Sequence, residues 1–147
     1  MSFDRKPYED TKKILDSVSP SFCLAKWMHV TLHLHEGKNH SCYHSLMHEI
    51  PVDLVKKDPS VLHNTPYKAE RRKEMLEGKR PHECEFCWAV EDLGGVSDRF
   101  NMSHAEWAQA GLSLIDKRNP AQKINPTYVE VSFSNTCNFR CSYCSAS

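Results

Sequence analysis

The stretch KWMHVTLHLHEGKNHSCYH, residues 26–44, carries the strongest local signal for the fold. Apolar and polar side chains alternate through its first half, which is typical of a β-strand with one buried face. The following EGKN provides the glycine and the polar residues of a hairpin turn. A two-residue Gly-Lys turn would place Cys42 opposite His33 on the returning strand. The sequence therefore predicts a β-hairpin in this stretch.

Histidines are concentrated in the same hairpin. Alternate residues of a strand share a face, so His40, Cys42 and His44 are expected to be neighbours. The exposed face of such a strand is usually polar, and we predict that His33, His35, His40 and His44 lie on a solvated face. His44 is the best candidate among them for an additional metal ligand.

Short helices are predicted on both sides of the hairpin. The clearest begins at Thr65 and Pro66, where a threonine N-cap precedes a proline in the first turn, and Gly78 follows its end. The segment HECEFCWAVEDLGG is a cysteine turn that leads into a helix closed by two glycines. Helical patterns cover residues 8–18, 51–63, 66–77, 82–95 and 105–115.

The charges of the chain are balanced. Lysine plus arginine and aspartate plus glutamate number 19 each, so no bulk attraction to nucleic acid or membrane is expected. The basic run at residues 71–73 is offset by neighbouring glutamates and predicts a solvated helix face. The chain has no apolar run long enough to cross a membrane, and its first residues do not resemble a secretory signal. A cytoplasmic protein is expected.

A second strand pattern precedes a cluster of cysteines near the end of the sequence. Residues 128–133 alternate, with Val129, Val131 and Phe133 on one face. Directly afterwards, the spacing CxxxCxxC is formed by Cys137, Cys141 and Cys144. A closed structural zinc site takes four ligands, so a zinc knuckle here would have to take its fourth ligand from elsewhere in the chain. Three thiolates can instead hold three corners of a cubane iron–sulfur cluster and leave its fourth iron open.

This strand and loop, VEVSFSNTCNFRCSYC, resemble the signature of the radical SAM enzymes. In that family CxxxCxxC follows the first barrel strand, and an aromatic residue commonly precedes the last cysteine, as Tyr143 does here. The resemblance implies that the three cysteines and Tyr143 form the binding site for a 4Fe-4S cluster and for S-adenosylmethionine on its open iron. It also implies reductive cleavage of the cofactor to a 5′-deoxyadenosyl radical, which abstracts hydrogen from a substrate.

Four further cysteines make a complete ligand set for zinc or for a closed cluster: Cys23, Cys42, Cys84 and Cys87. Seven cysteines in a chain expected to be cytoplasmic argue against a disulfide framework. The four would converge if the hairpin packed on the turn at Pro81. Trp88 is expected to shield a group bound there from water.

The segments FCLAKW, HSCYH, MLEGKRPHECEFCWAVE and SDR resemble the twitch-type, SPASM-like auxiliary-cluster module of radical SAM proteins. The resemblance covers residues 22–100 and implies a second iron–sulfur cluster on the four cysteines, with zinc as the alternative. For Ser97 and Arg99, which belong to this motif, a capping role is the simplest expectation.

The resulting expectation is an α+β fold in four parts. An arm and helix (1–21) precede the twitch-like module of hairpin and short helices (22–100), a connecting segment (101–126) and the start of a truncated radical SAM barrel (127–147). A complete barrel of eight units takes about 250 residues. We therefore expect the chain to be the N-terminal fragment of a longer enzyme and to be inactive alone.

The resemblance also implies partners, although no catalytic side chain is identified. They are S-adenosylmethionine, an electron donor such as flavodoxin or ferredoxin, and a peptide or protein substrate. Two other functions remain open from the residues: a free-standing zinc-binding interaction module, and an iron–sulfur electron-transfer protein without SAM chemistry. The identity of the metal separates the first from the second, and binding of S-adenosylmethionine separates the second from the radical SAM hypothesis.

Overall fold

The computed structural model describes residues 4–136, which form an α+β fold with seven α-helices and a four-stranded mixed sheet. The helices are α1 (Lys6–Asp16), α2 (Ala25–Met28), α3 (Val52–Val55), α4 (Pro66–Leu76), α5 (Glu85–Asp92), α6 (Asp98–His104) and α7 (Glu106–Gly111). The strands are β1 (His29–His33), β2 (Lys38–His40), β3 (His48–Glu49) and β4 (Tyr128–Ser132). Three 3-10 helices cover Pro59–Leu62, His82–Cys84 and Leu112–Leu114.

The sheet has the order β3-β2-β1-β4. The predicted hairpin is confirmed, because β1 and β2 pair in antiparallel orientation. Strand β4 joins the other side of β1 in parallel orientation, with Val30 opposite Val129. This parallel pair brings a strand from near the end of the chain against the hairpin, so residues almost one hundred positions apart share one sheet.

The predicted register of the hairpin is wrong. His33 pairs with Lys38, so the loop contains residues 34–37 rather than a two-residue Gly-Lys turn. Gly37 has φ +66° at the end of this loop, a backbone conformation that glycine adopts without strain. Strand β2 ends at His40, so Cys42 lies beyond the strand and not opposite His33.

The strongest helix prediction is confirmed in its details. The Thr65 hydroxyl oxygen accepts a hydrogen bond from the Lys68 backbone N–H at 3.1 Å, and Pro66 occupies the first turn of α4. Gly78 follows with φ +75°, which ends the helix as the sequence predicts. The helical patterns at 8–18, 51–63 and 82–95 correspond to α1, α3 with its 3-10 helix, and α5.

The helix predicted over residues 105–115 corresponds to α7 and the 3-10 helix Leu112–Leu114 that follows it. It is preceded by α6, which the sequence did not predict, and the two helices are separated at Ala105, whose backbone is extended with φ −58° and ψ 143°. His104 ends α6, and its Nδ1 is 3.1 Å from the Thr11 hydroxyl of α1. Packing against α1 therefore accompanies the break between α6 and α7.

The expected solvated basic face of α4 is also corrected. Lys73 is exposed, but Arg72 is fully buried and lies among Trp27 and the other core residues. Its guanidinium donates hydrogen bonds to the Lys26 carbonyl oxygen at 3.2 Å and to the Asn64 side-chain oxygen at 3.0 Å. These acceptors satisfy the buried charge-bearing group, so α4 packs into the core through a polar residue.

Strand β4 presents its apolar face outward. The strand itself is confirmed at Tyr128–Ser132. Its three alternating apolar residues are exposed: Val129, Val131 and Phe133. Among residues 4–136, no helix is long and apolar enough to cross a membrane.

Candidate metal centre

Four cysteines from three separate parts of the chain line one cavity. Cys23 precedes α2, Cys42 follows β2, and Cys84 and Cys87 lie at the start of α5. The space enclosed between them is about 20 Å³, roughly the room for one water molecule. None of these four thiols forms a disulfide. The structure thus brings together one complete set of the predicted ligand residues.

Local hydrogen bonds hold the cysteine-bearing segments in position. The Trp88 indole N–H donates to the Pro81 carbonyl oxygen at 3.0 Å, which closes the turn that carries Cys84 and Cys87. The Arg99 side chain donates to the Phe22 carbonyl oxygen at 2.9 Å and fixes the segment leading to Cys23. These contacts orient the thiols from their backbones, which is what a preorganised metal site requires.

Burial controls the ionisation of the thiols. It raises the pKa of Cys84 and of Cys87 to about 12 each and also raises the pKa of Cys23. Without a metal, these thiols are therefore protonated at neutral pH and are poor nucleophiles. A metal would bind the thiolate forms and release the protons, so metal binding and pH are coupled at this site.

The thiols are distributed around the cavity rather than drawn into one tight group. Within residues 4–136, no three histidine, cysteine, aspartate or glutamate side chains are placed so that they could hold a metal ion. One zinc ion with Zn–S bonds of about 2.3 Å would require the four sulfurs to lie within about 4 Å of each other.

His44 lies at the cavity but is already paired. Its Nε2 is 2.5 Å from Asp98 Oδ2, and its ring stacks on Phe86 with a centroid distance of 3.8 Å. The expectation of a solvated histidine face is also too simple. His33 and His40 are half-buried, and their Nε2 atoms are 3.0 Å apart.

The sequence also predicted a shielding role for Trp88 and a capping role for Ser97. Trp88 is buried and lines the cavity, consistent with its expected shielding role. Ser97 forms no side-chain cap of α6, so the capping expectation is wrong for this residue. Its hydroxyl instead donates to Glu91 at 2.6 Å.

The predicted catalytic-cluster residues lie outside the described residues: Cys137, Cys141, Tyr143 and Cys144.

Two cations at the cavity were missed by sequence reasoning. Lys26 and Arg99 both line the cavity and are almost fully buried. The signal for Lys26 is its position one helical turn after Cys23, and the signal for Arg99 is its place in the SDR motif. Neither pattern identifies a buried cation, because exposure depends on segments that are distant in sequence.

Comparison of the chain with models of protein families, with curated proteins and with solved structures gave no match.

Proposed function

We propose that this chain is the N-terminal part of a radical SAM enzyme that carries an auxiliary iron–sulfur cluster. The observation that carries the proposal is the convergence of four free cysteines on one cavity. Four thiolates are a complete ligand set for such a cluster. Cysteine spacing alone does not require Cys23 and Cys42 to meet the pair at α5, so their convergence supports a shared ligand.

The choice of an iron–sulfur cluster over zinc follows the resemblance of the module, since both groups take four thiolates. Within residues 4–136, no three of the candidate ligands are already grouped for one metal ion. The burial of the site also supports an iron–sulfur group, since exclusion of water protects the cluster and influences its reduction potential. Trp88 contributes to this exclusion from the cavity wall.

The catalytic cluster belongs to the loop that follows β4. We propose that Cys137, Cys141 and Cys144 bind it, with Tyr143 beside the last ligand and S-adenosylmethionine at the open iron. When bound, this pair supplies one-electron reductive cleavage of S-adenosylmethionine. The parallel pairing of β4 with β1 supports the proposal that β4 is the first strand of a β/α barrel, since parallel strands are the basis of that fold.

We also propose partners and a location for the enzyme. An electron donor of the flavodoxin or ferredoxin type would reduce the clusters, and a peptide or protein is the proposed substrate. The balanced charge supports a function without bulk attraction to nucleic acid or membrane. A cytoplasmic location fits free thiols that bind metal rather than form disulfides.

The test is to purify the 147-residue chain without oxygen and to measure iron, acid-labile sulfide and zinc. The wild type should hold two clusters. Cys84→Ala should remove the auxiliary cluster, whereas Cys141→Ala should remove the catalytic cluster and binding of S-adenosylmethionine. Each variant should therefore lose roughly half of the iron. Met102→Leu, a substitution of similar volume in the cavity wall that removes no thiol, is the control and should retain both clusters.

Other results would identify the alternative functions. Zinc in place of iron at the four-cysteine site indicates a zinc-binding interaction module. Iron without any binding of S-adenosylmethionine indicates an electron-transfer protein. We also expect that this chain alone does not turn over, and production of 5′-deoxyadenosine by the reduced, reconstituted chain would contradict that expectation.

A further inference from the structure

Two buried cations face the cavity that the four cysteines line. Lys26 is 3% exposed and Arg99 is 2% exposed, and both belong to the cavity wall. Lys26 forms an ion pair with Glu83, and the Arg99 guanidinium donates two hydrogen bonds of 2.8 Å to Glu91. These two carboxylates do not line the cavity, and the one carboxylate that does among residues 4–136, Asp98, is paired with His44. The positive partner of each ion pair is therefore the one that borders the thiols.

The cations lie close to the thiols. Lys26 and Arg99 line the same cavity as all four cysteines, and Lys26 follows Cys23 by three residues in the chain. The favourable interaction between these cations and the thiolates is largest in the metal-bound state, in which the thiols are deprotonated.

The net charge of a four-thiolate metal centre is negative, and the two cations can compensate it. Four thiolates bring four negative charges, and a zinc ion or an oxidised cubane core of charge 2+ leaves a net charge of about −2. A buried negative group of this size is costly unless it is paired. Addition of one electron to a cluster makes the group still more negative, so nearby cations stabilise the reduced state most.

We propose that Lys26 and Arg99 are the charge-compensating residues of the four-cysteine site and that they raise the reduction potential of the group bound there. This inference rests on the proposed function, since it assumes that the four cysteines bind a metal centre. Both are positioning residues, because they act on the centre through its charge and not by ligating it. In the reduction step, one electron from dithionite enters the cluster and no bond to the chain is formed or broken.

The test uses the 147-residue chain with Cys137, Cys141 and Cys144 replaced by alanine, so that only the four-cysteine site carries iron. The variant Lys26→Met/Glu83→Gln removes the cation and also its buried partner, which avoids an unpaired carboxylate. Lys26→Met alone is the second variant. The exposed pair Lys79 and Glu77, changed to Lys79→Met/Glu77→Gln, is the matched control. Circular dichroism establishes that each variant is folded.

The readouts are the reduction potential, followed by electron paramagnetic resonance in a dithionite titration, and the rate of metal loss to a chelator. We expect Lys26→Met to weaken electron uptake at least tenfold, a shift of about 59 mV to lower potential for a one-electron couple. The double variant should shift in the same direction by less, and the control should not shift. Both Lys26 variants should also lose metal several times faster.

The possible outcomes separate this inference from the proposed function. An unchanged potential and unchanged metal loss in folded Lys26 variants overturn this inference and leave the proposed function intact. A wild-type site that holds zinc is judged by the chelator rate alone, where faster loss supports charge compensation and an equal rate overturns it. A wild-type four-cysteine site that takes up no metal overturns both this inference and the auxiliary-cluster part of the proposed function.

Discussion

Arg72 is a charged residue that acts as part of the core. Its guanidinium donates to the carbonyl oxygens of Lys26 and Gln122 and to the side chain of Asn64, at 3.0 to 3.3 Å. It also lies over the Trp27 ring, with Cζ 5.6 Å from the centroid. Burial lowers its pKa to about 9, so the folded protein bears a desolvation cost that the hydrogen bonds must offset.

Replacement of Arg72 should therefore be strongly destabilising. Arg72→Met keeps much of the volume but leaves three buried acceptors without their donor, and we expect the free energy of unfolding to fall by about 3 kcal/mol. Lys73→Met, on the exposed side of the same helix, should change it by less than about 0.5 kcal/mol. Urea unfolding followed by circular dichroism measures both values. Equal stability of the two variants would contradict a core role for Arg72.

His63 is a second buried polar residue, and it must be neutral. Its Nε2 is 2.7 Å from the Trp27 carbonyl oxygen, and its Nδ1 is 2.9 Å from Lys68 Nζ. Nε2 also lies 3.1 Å from Arg72 Nη2, so two cationic side chains border the ring and disfavour a second proton on it. Burial and the charges of Lys68 and Arg72 hold the pKa of His63 far below its ordinary value.

This shift predicts loss of stability in mild acid. The unfolded state takes up a proton near pH 6.5, whereas the folded state does not, so stability is complete above that pH and falls below it. We expect the free energy of unfolding to fall by about 1.4 kcal/mol per pH unit from this histidine as the pH decreases from 6 to 4. In His63→Gln, the slope of the free energy of unfolding against pH should be smaller by that amount.

The control for the pH prediction is a histidine on the surface. The side chain of His82 is 76% exposed, so His82→Gln should leave the slope of stability against pH unchanged. Urea unfolding at a series of pH values gives the slopes. A His63→Gln slope equal to that of the wild type would show that another group is responsible for the acid sensitivity.

At the scale of the element, α4 depends on its N-cap. Thr65 is 1% exposed, and its hydroxyl oxygen accepts from the Lys68 N–H at 3.1 Å while lying 2.8 Å from His48 Nε2. The cap thereby fixes the first turn of α4 and links that turn to β3. The same turn positions Lys68 and, one turn later, Arg72, so the cap contributes to the buried network as well as to the helix.

Removal of the Thr65 hydroxyl should lower the free energy of unfolding more than removal of its methyl group. Thr65→Ala loses both hydroxyl contacts, and we expect the free energy of unfolding to fall by about 1 to 2 kcal/mol. Thr65→Ser keeps the hydroxyl and is the matched control, with an expected loss of less than about 1 kcal/mol. Thermal or urea unfolding measures the difference. If serine and alanine were equally destabilising, the lost methyl group rather than the cap would be responsible.

At the scale of the whole molecule, the sheet ends on an apolar edge. The order β3-β2-β1-β4 leaves β4 at one side of the sheet, and the side chains of Val129, Val131 and Phe133 are 51%, 41% and 75% exposed. Edge strands with exposed apolar residues tend to pair with other chains. This surface is consistent with the proposal that further β/α units pack against β4 in a longer enzyme.

The exposed strand predicts self-association of the 147-residue chain. Val131→Lys should reduce concentration-dependent association, because a charge on an edge strand opposes pairing with a second copy. Leu93→Lys is the control, since this residue is 90% exposed after α5 and lies outside the sheet. Sedimentation velocity over a range of concentrations measures both. Association that persists equally in the two variants would place the contact elsewhere on the surface.

Local chemistry made several features predictable from the sequence. The threonine–proline start and glycine end of α4 are backbone requirements of a helix terminus, so they appear correctly in the sequence. The alternation located β1 and β4 but not their buried faces, because β1 is buried on both faces and the apolar side chains of β4 are exposed. The hairpin register was not predictable, because a longer loop at residues 34–37 satisfies the same turn composition.

The sequence by itself determined where α1, α4, α5 and the β1–β2 hairpin form and which cysteines are available as ligands, since both follow from residues close together in the chain. Only the tertiary structure decided that Cys23, Cys42, Cys84 and Cys87 line one cavity and that Lys26, Arg72 and Arg99 are buried. A buried charge is tolerated when distant segments supply its partners. Those partners are Glu83, Glu91 and backbone carbonyl groups, and no local pattern in the sequence marks them.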